Sequence, residues 1–190
     1  MTGPAPSAAP AVATGPAARF TTQVGEAFVG EGPAAAHVNT VLGARGGPVE
    51  AAWATALATP RPGHVPFVAC VRPNVAAKPA TVFVNKATVE GEVHASLTWG
   101  PAQAGVAAGV ADAVRDGVVP AQLVDDLLLI AAVWVDPGAT PDLAGAVYRH
   151  NREATRAALA AGAEARPALD DVLAAAEAPS NAHFDPTQVT

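Results

Sequence analysis

Two hydrophobic periods alternate along the chain. Residues 22–29 and 37–42 carry β-branched residues between glycine-rich breaks, which predicts two strands. Residues 48–57 (PVEAAWATAL) follow with helix formers, a proline at the start and an acid in the first turn, and predict a helix. Short apolar runs at 65–71 and 81–84, bounded by Pro and Asn, predict two more strands, with 86–89 continuing the second. Residues 101–115 come after a Gly-Pro break and place Val106, Val110 and Val114 four apart on one helical face. Pro120 opens a short helix within 118–126, because Asp125 and Asp126 are unlike strand interior, and 127–135 then reads as a buried strand stopped by Pro137 and Gly138. The longest helical pattern is 141–162, with Leu143, Val147, Asn151, Thr155 and Leu159 along one line. Together these elements predict an α/β layer architecture, sheet on one side and helices on the other. No repeat recurs at a fixed period.

Length and composition narrow this picture. A chain of 190 residues fits one core, spanning 20–166. Residues 1–19 are Ala, Pro, Gly and Ser without an apolar block or a basic start, and predict a disordered tail rather than a secretory signal. Residues 167–190 read as an appendage, in part helical. Hydrophobic residues make up 51%, but 48 of the residues are alanine, so large core side chains are scarcer than the total suggests. With 11 basic against 17 acidic residues, a net charge of −6, and no basic run longer than two, nucleic acid is excluded as a partner. No apolar stretch is long enough to span a membrane, the longest being 127–135, so a soluble protein is expected. Cys70 is the only cysteine, which excludes an intrachain disulfide and thiolate metal cages and points to a reducing, cytoplasmic setting.

Candidate chemistry is sparse. None of the five histidines, His37, His64, His94, His150 and His183, pairs at zinc-site spacing, so no metal is expected. Phosphate loops and nucleophile elbows are absent, and Gly43–Gly47 is only a turn. What remains is His37, at a strand start after Gly30-Glu31-Gly32-Pro33, with Asn39 on the same face two residues on. Lys86 and Thr88 repeat that spacing on another predicted strand, so four polar groups can line one cleft. Cys70 reads as a small core residue, His64 as a turn residue, Trp53 and Trp99 as packing or subunit contacts, and Asp125-Asp126 as a solvated helix end.

Ordered segments across residues 22–162 add a resemblance. GEAFVGEG (25–32), AHV (36–38), GPV (47–49), GH (63–64), RPN and KPAT (72–81), NKATV (85–89), WGPAQAGVAAGVADAV (99–114), GVVPAQLVDDLLLI (117–130) and NREATR (151–156) together resemble the formaldehyde-activating enzyme family. The resemblance implies an α/β two-layer sandwich related to the second domain of ribosomal protein S5, with a left-handed β-α-β crossover against the usual handedness. It implies a homopentamer with the pterin between subunits, and condensation of formaldehyde with tetrahydromethanopterin to methylene-tetrahydromethanopterin and water. That activity serves one-carbon metabolism and formaldehyde detoxification. By the same resemblance His37 is the proton donor, while Lys86, Thr88 and Gln103 contact the pterin, as do Asn39 and Val68, which stand where the family has aspartate and leucine. No bound cofactor is implied, since the pterin is a co-substrate.

These residue types suit the chemistry. Hydroxide is a poor leaving group, so a carbinolamine loses water only with a proton from a group poised near neutrality, and imidazole is such a group. Holding the two reactants in register supplies much of the remaining gain. The sequence also departs from the family. Pro33 and Ala34 replace an Asn-Glu pair, His150-Asn151-Arg152 replaces Tyr-Asn-Tyr, Glu90-Gly91-Glu92 interrupts the helix before GPAQ, and Asn39 keeps the shape of an aspartate without its charge. Asn39 leaves open an alternative, a non-catalytic protein of the same fold that binds a reduced pterin or carbonyl adduct as carrier or sensor. An assembly scaffold alone is disfavoured by the presence of His37, Lys86, Thr88 and Gln103 together.

Overall fold

The computed structural model describes residues 20–181 and 184–188. The expected tail, 1–19, and His183 lie outside the described residues. The β-branched stretches form β1 (Gln23–Val29) and β2 (Ala36–Ala44), and the proline-led segment forms α1 (Pro48–Ala58). The apolar run expected as one strand at 65–71 is divided into β3 (Phe67–Val68) and β4 (Cys70–Arg72), β4 pairing with β5 (Val75–Ala76) in a separate two-stranded ribbon. Next come β6 (Ala80–Asn85), α2 (Gly91–Leu97), α3 (Gln103–Arg115), β7 (Leu127–Trp134), α4 (Ala144–Ala163) and α5 (Leu169–Ala175).

The main sheet has the order β1-β2-β7-β6-β3, antiparallel except for the β6/β7 pair. That parallel pair needs a crossover, supplied by α2 and α3. Central β7 reads LLLIAAVW without polar alternation because both its faces are covered over much of its length. On one face Val38, Phe83, Ala131 and Val133 pack with Val106, Val147 and Ala154, and Leu42, Leu127 and Leu129 with Val110 and Leu159. Each fully buried Val, Leu or Phe among them contributes about 1.5–3 kcal/mol. This is the expected sandwich of sheet and helices. Glycines on α3 let it approach α4 closely: a Cβ on Gly105 would collide with the Tyr148 carbonyl oxygen of α4. Buried Asp112 ties the same helices together, accepting from Arg152 Nε at 2.6 Å and Nη2 at 2.9 Å.

The other face is only partly covered. α1 packs over its Ala44 end, where Val49 fills the space above Gly43 and Trp53 Nε1–H donates to the Ala80 carbonyl at 3.1 Å. The opposite end of that face carries His37.

Four sequence expectations are corrected. Residues 86–89 do not continue β6: only the Lys86 N–H still bonds to the ladder, at Val133 O (2.8 Å), after which the chain turns away. Glu90-Gly91 does not interrupt the helix before GPAQ but starts it, Gly91 adopting φ +73° at its first position. Gly100-Pro101 is no break either. A π-helical turn at Thr98–Ala102 carries the chain from α2 into α3 and accommodates a proline that lacks the N–H an α-helix would use. The helix expected within 118–126 contracts to a 3-10 turn at Ala121–Leu123, and 3-10 residues Pro141–Leu143 precede α4.

Candidate active site

The β1/β2 register sets Glu26 opposite Asn39 and Phe28 opposite His37, and the β2/β7 register sets His37 opposite Trp134. Paired residues share a face, so Glu26, His37 and Asn39 stand together at the open end of the sheet. His37 Nε2 lies 2.8 Å from Glu26 Oε1. From the end of β6, Lys86 Nζ donates to Asn39 Oδ1 at 2.5 Å.

Burial, then the charge of Lys86, hold His37 below its ordinary range, while Glu26 acts in the opposite direction. Burial likewise lowers Lys86, again opposed by Glu26. The side chains of His37 and Glu26 remain 36% and 60% exposed. Ion pairs this open contribute at most about 1 kcal/mol to stability, so the consequence of this contact lies in the protonation of His37 rather than in holding the fold.

Val68 and Gln103 lie in a different grouping. With Val65, Phe67, Cys70 and Trp99 they line a cavity of about 380 Å³ beside β3, a size suited to a small organic ligand. Phe67 is fixed by stacking on Phe83, centroids 5.0 Å apart. Gln103, the first residue of α3 after the π turn, accepts from the Cys70 backbone N–H through Oε1 at 2.6 Å. Its carbonyl oxygen is thereby engaged, leaving the amide N–H groups for a ligand.

Thr88 belongs to neither grouping by direct contact. It sits in the turn after β6, its hydroxyl 3.2 Å from His64 Nε2, while His64 Nδ1–H donates to Asn85 O at 3.1 Å. Gly63 has φ +73°, and a Cβ there would overlap the Thr88 methyl, so glycine is required for this contact. His64 is thus more than a turn residue. The structure joins His37, Asn39 and Lys86, places Val68 and Gln103 in one cavity, and moves Thr88 out of the strand expected for it.

Glu26 was missed by the sequence reading, although strand alternation from Phe28 already put it on the His37 face once the hairpin is paired. Elsewhere the departures from the family pattern find local partners. His150 Nδ1–H donates to Ala34 O at 2.8 Å, in the 3-10 turn Gly32–Ala34 that Pro33 opens, and Arg152 holds Asp112. His94 is buried, its Nε2–H donating to Val135 O at 3.1 Å and Nδ1 accepting from Glu90 N–H at 3.4 Å, which is a structural role. Among the described residues no group of three His, Cys, Asp or Glu is placed to hold a metal ion, and no helix is long and apolar enough to cross a membrane.

A mixed five-stranded sheet layered with helices, with a histidine–carboxylate pair at its open end and an apolar cavity at its edge, defines the class: an α/β domain with room for a small organic molecule. The chain belongs to the formaldehyde-activating enzyme family, whose profile, described as "Formaldehyde-activating enzyme (Fae)", matches residues 24–184. It is 45% identical over 153 residues to the 5,6,7,8-tetrahydromethanopterin hydro-lyase of Methanosarcina barkeri, covering 80% of this chain and 85% of that protein. It is also 42% identical over 150 residues to the bifunctional enzyme Fae/Hps of Methanococcoides burtonii, covering 79% of this chain and 37% of that one. The corresponding protein of Methanosphaera stadtmanae is 40% identical over 152 residues, again with 37% of its length covered. This chain therefore corresponds to just over a third of the bifunctional relatives.

Proposed function

We propose that this protein is a lyase that condenses formaldehyde with tetrahydromethanopterin, or a related tetrahydropterin, to the methylene-tetrahydropterin and water. The observation that carries the reading is the cluster of His37, Glu26, Asn39 and Lys86 at the open sheet end, in a chain 45% identical to a protein named tetrahydromethanopterin hydro-lyase. One pterin nitrogen adds to formaldehyde to give a carbinolamine. Protonated His37 donates to its hydroxyl, the C–O bond breaks and water leaves, and the second pterin nitrogen closes on the iminium carbon. The proton released on closure returns to His37, so no net proton is consumed. Val68 and Gln103 contact the pterin, Gln103 through its amide N–H groups, with Thr88 and Lys86 holding polar edges or substituents. Asn39 belongs to the same binding set. The pterin is co-substrate, and no bound cofactor or metal enters this chemistry.

The same reading includes the S5 domain-2-like sandwich with its left-handed crossover, for which the β6-α2-α3-β7 unit is the segment concerned, and a catalytic domain at 20–166 with 167–190 as an appendage. It also includes a cytoplasmic setting and a homo-oligomer of five copies with the pterin between subunits. Exposed Val24 and Phe28, on one face of edge strand β1, support the assembly. Light scattering should give a mass near five times that of the 18.9 kDa chain.

The decisive experiment is the initial rate of methylene-tetrahydromethanopterin formation with the wild-type protein, with His37→Ala and with no protein, because the reactants also combine without a catalyst. A wild-type rate well above the blank that collapses in His37→Ala is expected. A wild-type rate equal to the blank, with tetrahydrofolate run in parallel, would overturn the enzyme reading and leave the pterin carrier or sensor in its place.

A further inference from the structure

We infer that Glu26 is a positioning residue for this condensation: its carboxylate holds the Nε2–H of His37, so that Nδ1 is the nitrogen that passes the proton. The inference rests on the reading of His37 as the acid. Glu26 lies opposite Asn39 in the β1/β2 register, one diagonal step from His37 on the same sheet face, and its Oε1 is 2.8 Å from His37 Nε2. A carboxylate only accepts hydrogen bonds, so the ring nitrogen facing it carries its proton in the neutral imidazole as well as in the cation. Glu26 faces Nε2, which leaves Nδ1 as the ring nitrogen open to a substrate.

The step balances. The Nδ1–H bond of the imidazolium breaks with its electron pair kept on Nδ1, the proton goes to the carbinolamine hydroxyl, and the C–O bond breaks to release water. The amine lone pair forms the iminium. His37 is left as the Nε2–H tautomer, still held by Glu26, and Nδ1 is free to take back the proton lost when the second nitrogen closes the ring. Glu26 does more than orient. The charged groups facing His37 are Lys86, from the end of β6, and Glu26, from β1, and only the second favours the imidazolium. A carboxylate beside the ring also favours the cationic iminium that forms next to it. Asn39, an amide, supplies neither effect.

Two measurements on the full chain test this. Long-range 15N–1H NMR of His37 should show the neutral ring protonated on Nε2 in the wild type, with that preference weakened in Glu26→Gln, because an amide can turn either end to the ring. In the condensation assay Glu26→Gln should lower kcat roughly tenfold or more, with little change in the pterin KM. The fall in rate with rising pH should begin at lower pH than in the wild type. In an Asn39→Asp background, where a carboxylate is restored on the adjacent position of the same face, the loss from Glu26→Gln should shrink. A neutral His37 protonated on Nδ1, or a Glu26→Gln enzyme with wild-type kcat and pH profile, overturns the inference. His37→Ala separates the levels. If it collapses while Glu26→Gln does not, the acid stands and the inference about Glu26 fails, whereas wild-type activity in His37→Ala removes both.

Discussion

The amide oxygen of Asn39 accepts a hydrogen bond from the Lys86 ammonium at 2.5 Å, a contact made across 47 residues of chain. An amide there orients the lysine without neutralising it, so the Lys86 charge acts on His37. Asn39→Asp turns the contact into an ion pair and opposes the lowering of both Lys86 and His37. The pH at which kcat/KM declines should move upward, and activity at pH 7 should rise several-fold. Pairs of pH–rate profiles check this, and superimposable profiles would contradict it.

An acid that works protonated loses activity as pH rises through its pKa. Since burial and Lys86 place His37 below its ordinary value of 6.5, the catalysed kcat/KM should fall with an inflection below that value, once the uncatalysed rate is subtracted. Lys86→Met removes the nearby positive charge and should shift the inflection upward, with a weaker hold on the pterin as a separate rise in KM.

Gln103→Glu keeps an oxygen for the Cys70 N–H but removes the amide donors that face the cavity. The pterin KM should rise about tenfold, a loss of ~1.4 kcal/mol, with kcat little changed. An unaltered KM from steady-state titration would remove Gln103 from the binding set.

Asp112 is held below its ordinary 3.8, first by the Arg152 hydrogen bonds, with burial opposing and Arg115 adding to the effect. A carboxylate with a depressed folded pKa contributes stability that is fully present above its unfolded pKa and is lost as pH falls through the folded one. Asp112→Asn should therefore cost about 1–3 kcal/mol at pH 7, with the gap to wild type closing below pH ~4. Urea unfolding at neutral and acid pH measures both.

Gly63 combines φ +73° with a position where a Cβ would overlap the Thr88 methyl. Gly63→Ala should cost roughly 1–3 kcal/mol and displace Thr88 from His64. Thermal unfolding together with the pterin KM reports the two effects.

Much of the fold was legible locally. Alternating β-branched residues marked β1 and β2, the uninterrupted LLLIAAVW run marked central β7, and the four-residue spacing of Val106 and Val110 marked α3, because each pattern reflects which face of an element meets the core. Less legible were the places where a neighbour overrides the local signal. Lys86–Val89 looks like strand, but its backbone has ladder partners only as far as Val133, and Pro101 looks like a break until a π turn absorbs it.

The candidate site divides the same way. His37 with Asn39, and Lys86, Val68 and Gln103, were visible as residue types and as a family resemblance. By itself the sequence determined these side chains, the sandwich class of the fold and the family to which the chain belongs. Only the tertiary structure decided that Glu26 reaches His37, that Asn39 holds Lys86, that Gln103 is turned by the Cys70 N–H, and that Thr88 pairs with His64. The physical reason is range: periodicity reports a residue's own face, whereas these contacts depend on strand register and loop closure between segments from 11 to 47 positions apart, which no local pattern encodes.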